Sequence, residues 1–93
     1  MNDSNWLALS SIAMDLRRVA LGYHRGSKNM AERFLEEAIK RKKEVDISKI
    51  KPYLKKILDD IDNLKTKRDK EIVAEDALLY SILLQNASLV NVT

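Results

Sequence analysis

The residues best equipped for chemistry crowd into one stretch of this 93-residue chain, Arg17–Lys28. There Arg17, Arg18, His24, Arg25 and Lys28 surround a Gly26-Ser27 turn with no acid among them. Cationic side chains beside the free N–H groups of a helix start make a physically sound anion or phosphate site. The same residues have a plainer use, in which Arg25 and Lys28 solubilise a loop and His24 complements the C-terminal dipole of the preceding helix. The remaining inventory excludes a good deal. With no cysteine there is no disulfide, thiolate metal centre or Cys nucleophile. His24 is the one histidine, so a multi-histidine zinc site within one chain is excluded, and no serine has a second base to call on. Acids pair up at Glu36–Glu37 and gather at Asp59, Asp60 and Asp62, but no Glu-x-x-His accompanies them, which removes support for a di-iron carboxylate bundle. No cofactor, metal or catalytic residue is therefore assigned.

Arg18 and His24 have five residues between them. This spacing is similar to the Arg-x(4–6)-His signature of the HEPN family of helical-bundle ribonucleases. The resemblance implies a composite dimer site in which Arg18 would bind the RNA phosphate and His24 would serve as acid–base, without a metal. It covers seven residues, Arg18–His24. The chain departs from the family in having the apolar Val19 after the arginine, where a polar residue is favoured. It also carries the motif on its first helix and not late in the bundle.

Charge is distributed in blocks that matter more than the net +3. Lys40–Lys56 holds eight basic residues (Lys40, Arg41, Lys42, Lys43, Lys49, Lys51, Lys55 and Lys56) against Glu44 and Asp46. Ile57–Asp76 then reverses sign, with seven acids against four bases. Such blocks are most often solvated helix faces, with an anionic partner as the alternative. Ala77–Thr93 carries no charge at all, and neither does Ser4–Met14. Ionised side chains are costly to bury, so segments that exclude them are ones the fold or a partner covers. The uncharged runs are too short, or too interrupted by Ser81, Gln85, Asn86, Ser88 and Asn91, to resemble membrane spans. The MNDSN start lacks a basic secretory n-region, and the expectation is a cytoplasmic chain.

Two glycines and one proline leave few breaks, and the apolar spacing is helical throughout. It predicts an all-α, single-domain, four-helix up-down-up-down bundle spanning 1–93, with helices at about 5–23, 29–44, 49–66 and 70–90. In the first helix Leu9, Ile12, Ala13, Leu16, Val19, Ala20 and Tyr23 form one face, and Leu7, Met14 and Leu21 repeat every seven residues on another. Ser11, Asp15, Arg18 and Gly22 remain as its strip for water. The second helix pairs Glu36 with Lys40 and Glu37 with Arg41 on its wet side. The third has a stripe of Ile50, Tyr53, Leu54, Ile57, Leu58, Ile61 and Leu64, with Pro52 in its first turn. The fourth is apolar in nearly every direction. Trp6 is expected as a core or interface anchor.

A bundle needs about three apolar positions in seven per helix. The second and third helices conform, and the first and fourth exceed it. The chain thus reads as a non-enzymatic interaction or assembly module, a homo-oligomer with a dimer favoured, associating through the first and fourth helices at Leu7, Met14, Leu21, Val73 and Leu84. Another protein is an alternative partner. A second reading is sequence-independent nucleic-acid binding at the basic tip between the second and third helices, and a third is the HEPN-like ribonuclease.

Overall fold

The computed structural model describes the backbone of residues 3–90 and the side chains of residues 5–88. Four helices follow in order: α1 (Asp3–His24), α2 (Lys28–Arg41), α3 (Pro52–Leu64) and α4 (Lys70–Val90). Short 3-10 turns, Lys42–Glu44 and Ile47–Lys49, lie between α2 and α3. Every regular element among the described residues is helical. The rod they form measures 40 × 20 × 18 Å.

Helix boundaries follow local chemistry. The α1–α2 connection turns at Gly26, whose φ of +73° suits a residue without a Cβ. The N–H of Ser27 returns to the Gly22 carbonyl at 2.8 Å and closes the end of α1. The second and third helices were expected to run further toward each other than they do. The α-helical part of α2 stops at Arg41, and α3 starts at Pro52, because Lys51 precedes a proline and is extended at ψ 151°. Between them Asp46 caps the second 3-10 turn, accepting from the Ser48 N–H at 3.1 Å and the Ser48 hydroxyl at 2.6 Å. Asn5 clamps this loop to α1: its amide Nδ2 donates to the Asp46 carbonyl at 3.0 Å, and the Asp46 N–H donates back to Oδ1 at 2.6 Å.

Around the bundle α1 packs on α2 and α4, while α3 touches α2 and α4 more sparsely, an order compatible with up-down-up-down. Side-chain size explains the difference. The seams of α1 are lined by small residues: Gly22 against Ala31 on one side, Ala13 and Ala20 on the other, with Ala74 and Ala77 buried on α4. Small side chains let helix axes approach closely. The α3 stripe is built of Leu54, Ile57, Leu58, Ile61 and Leu64, all buried, and holds its neighbours further off. Tyr53, expected in that stripe, is half exposed because it stands in the first turn, at the rim of the rod. Trp6 is partly buried with its indole N–H enclosed and unpartnered, so it contributes packing area alone.

Buried polar groups on α4 are satisfied within the helix. The Ser81 hydroxyl donates to the Leu78 carbonyl at 2.6 Å and the Ser88 hydroxyl to the Gln85 carbonyl at 2.8 Å. At its midpoint, α4 meets α3 through the Tyr80 hydroxyl, which donates a short hydrogen bond to the Asp60 carboxylate. Asp60 also accepts from the Asn63 amide at 2.9 Å. These bonds hold the Asp60 carboxyl below its ordinary value of 3.8, and burial together with Asp60 pushes the Tyr80 phenol up. A lowered carboxyl stabilises the fold above its unfolded value, and that contribution fades as pH falls through the folded one.

Two outcomes follow for the fold. Replacing Asp60 by Asn is expected to flatten stability loss below pH 4 relative to the native chain, read by urea melts across pH 2.5–6. Gly22→Ala is expected to destabilise by about 1–3 kcal/mol through overpacking, despite alanine's helix propensity advantage of about 1 kcal/mol. The added Cβ would meet the Ala31 backbone nitrogen at 2.8 Å and its Cα at 3.0 Å, so two helices must part; chemical denaturation measures the change.

Candidate interaction surface

The basic stretch does not assemble into a single site. Arg18 is drawn into the α1–α2 seam, with its guanidinium 3.8 Å from the Asp15 carboxylate and 5.3 Å from the centre of the Phe34 ring. Six positions further along α1, His24 points about 120° away around the helix and cannot join it. His24 instead lines an open groove with Tyr23, Lys70, Glu71 and Glu75. Lys28 reaches Glu32 at 3.9 Å within α2. Arg17 and Arg25 are exposed, on α1 and in the turn after it. Ser27 stands at the start of α2 without a side-chain cap bond.

Of the α1 strip expected to face water, Arg18 is exposed, but Asp15 and Gly22 lie in the α2 contact. Asp15 is only 4% exposed and Gly22 is buried. Arg41 compensates the carboxylate, its Nε donating to Asp15 Oδ2 at 3.1 Å. Burial pushes the Asp15 carboxyl up, and Arg41, then Arg18, pull against it. The expected Glu37–Arg41 pair gives way to this bond because the buried acid needs the cation more than the half-buried Glu37 does. The seam is polar where periodicity suggested a solvated edge.

The basic tip is also partly spent on internal pairing. Lys42 reaches Asp62 at 2.6 Å, Lys49 lies 4.0 Å from Asp46, and Arg41 belongs to Asp15. Lys40, Lys43, Lys51, Lys55 and Lys56 stay exposed but come from α2, a 3-10 turn, the loop and α3. Among the described residues no cluster of three or more histidines or acids is placed to hold a metal ion.

What the structure does assemble is apolar. Leu7 is 56% exposed, Met14 50% and Leu21 40%, in line along the outer side of α1. Beside them on α4 stand Leu78 and Ile82, also 41% and 50% exposed. Met14, Arg17, Leu78, Ser81, Ile82 and Gln85 line one shallow groove between the two helices. Ile72 and Leu79 carry exposed apolar surface further round α4. Two residues expected on this surface are elsewhere: Val73 and Leu84 are fully buried in the core and out of reach of any second chain. They lie on the side of α4 marked by the small residues Ala77, Ser81 and Ser88, where the helix meets its neighbours. That small-residue side was the signal available for orienting α4. It leaves Leu78 and Ile82 on the opposite, outer side.

No helix among the described residues is long and apolar enough to cross a membrane. Replacing Arg41 by Ala leaves Asp15 buried without its main partner and is expected to destabilise by about 1–3 kcal/mol at pH 7. Because a raised carboxyl is protonated first as pH falls, that loss is expected to shrink toward pH 4, read by paired urea melts of native and variant chains. No family model matches the chain, and comparison with curated proteins and with solved structures finds no match.

Proposed function

We propose that the protein is a self-associating helical module that brings copies of itself together through the outer face of α1 and α4. One observation carries this: Leu7, Met14 and Leu21 stand half exposed in line along α1, and Met14 shares a groove with the half-exposed Leu78 and Ile82 of α4. Monomeric proteins rarely leave such a strip in water, and covering a large aliphatic side chain fully is worth about 1.5–3 kcal/mol. The groups needed for catalysis do not converge, since Arg18 is held by Asp15 and Phe34 while His24 faces another groove. We read the role as non-enzymatic assembly. A chain free of cysteine suits a reducing compartment such as the cytoplasm.

Sedimentation of the native chain at micromolar concentration is expected to show a dimer or larger species. The double variant Met14→Glu, Ile82→Glu is expected to sediment as a monomer with unchanged helical circular dichroism, since both side chains are half exposed in the single chain. A native chain that stays monomeric through hundreds of micromolar overturns the proposal.

A further inference from the structure

The apolar strip is flanked by charge of opposite sign on its two helices. On α1 and the turn after it the exposed cations are Arg17, Arg18 and Arg25, of which Arg18 is paired with Asp15; that acid, the one described on α1, is buried. On the outer side of α4 the acids are Glu71 and Glu75, Lys70 in the first turn is held by the Lys67 carbonyl at 2.7 Å and the Tyr23 ring, and nothing charged follows Asp76. Asp76 is turned away and bonded to Lys67 at 2.9 Å. Among the described residues, Arg17, Arg25, Glu71 and Glu75 take part in no ion pair within the chain. One face therefore presents a basic helix and an acidic helix side by side, each with unspent charge.

We propose that the occupant of this face is a second copy, related by a two-fold axis parallel to the helices, which lays α1 of each chain on α4 of the other. This rests on the self-association reading and adds the identity of the pairing helices and what selects them. An axis parallel to the rod preserves height along it. Residues level with each other across the groove of one chain thus face each other between chains. His24 shares a groove with Glu71 and Glu75, and Met14 and Arg17 share one with Leu78 and Ile82. In the dimer His24 and Arg25 meet the acidic end of the partner's α4, Met14 meets the partner's Ile82, and Arg17 lies alongside Leu78 and Glu75. The contact repeats twice by symmetry, as an isologous interface must.

The competing axis, perpendicular to the helices, stacks α1 on α1 and α4 on α4. With Met14 on that axis, Leu7 opposes Leu21, but Arg17 and Arg18 oppose Ser11 and Ser10. The acids of α4 then oppose its neutral end. That arrangement covers Arg17, Glu71 and Glu75 without partnering them, which costs free energy that the parallel axis avoids. The long side of the rod, 40 by 20 Å, is of the order of the ~800 Å² per partner that a stable interface buries.

The chain has no cysteine, so single engineered thiols report on trans contacts cleanly. Oxidising an equimolar mixture of Met14→Cys and Ile82→Cys chains is expected to give mainly the mixed disulfide. Predominant self-cross-linking of the Met14→Cys chain would overturn the parallel axis. A charge test runs beside it. Arg17→Glu, Arg25→Glu in one chain and Glu71→Arg, Glu75→Arg in another are each expected to weaken self-association about tenfold or more at low salt. Mixing the two restores affinity to within about threefold of native, because both contacts are again matched. Undiminished association of the single-sided variants, with the native chain dimeric, overturns the helix pairing and leaves self-association standing. A monomeric native chain removes both.

Discussion

The structure depends on how closely α1 is allowed to approach its two neighbours. Gly22 and Ala31 touch backbone to backbone on one side, and alanines on α1 and α4 line the other. That proximity has an electrostatic consequence. It buries Asp15, which sits one helical turn and three residues before Gly22 on the same seam, and a buried carboxylate must be compensated. Arg41 supplies the compensation from the end of α2, and Arg18 adds to it while lying over Phe34. A steric feature thus decides the fate of the charges around it. The arginine that the sequence makes most suggestive for catalysis is the one this seam recruits.

The outer surface follows from the same geometry. Because α1 is covered by α2 on one side and α4 on the other, only its outward strip remains, and that strip is Leu7, Met14 and Leu21, with arginines only from position 17 onward. Because α4 turns its small residues inward, its outward side is Leu78 and Ile82 with Glu71 and Glu75 toward its start. Tight packing inside and greasy surface outside are two sides of one allocation of residues. Large aliphatic side chains of α1 and α4 are divided between the core, at Leu9, Ile12, Leu16 and Leu84, and the exterior, at Leu7, Leu21, Leu78 and Ile82.

Much of the fold is legible from periodicity alone. The apolar face of α1 from Leu9 to Ala20 is buried as its spacing indicates, and so is the α3 stripe from Leu54 to Leu64. The exposed heptad of Leu7, Met14 and Leu21 could also be read by eye. What periodicity could not resolve was orientation where both sides of a helix are apolar. On α4 hydrophobicity points everywhere, so Val73 and Leu84 were indistinguishable from Leu78 and Ile82 until the positions of Ala77, Ser81 and Ser88 are weighed. Polarity misled in the opposite sense at Asp15, since a lone acid on a helix reads as solvent-facing unless a cation arrives from elsewhere in the chain. Arg41 lies 26 residues away in sequence, beyond any local pattern. Helix ends between α2 and α3 were blurred for a similar reason: the Asp46 cap and the extended Lys51 act locally, while the Asn5 clamp from α1 and the Lys42–Asp62 pair to α3 reach the loop from distant positions.

The uneven spacing of the bundle bears on how its sequence can drift over generations. Around α3, where bulky aliphatics bridge a wide gap, one branched side chain can replace another at Leu54, Ile57 or Leu58 with compensating adjustments next door. At Gly22 and Ala31 the ceiling on volume is set by neighbouring main chain, which cannot step aside. A distant descendant of this chain would then be told less by its hydrophobic repertoire than by a ladder of tiny residues ascending the first two helices.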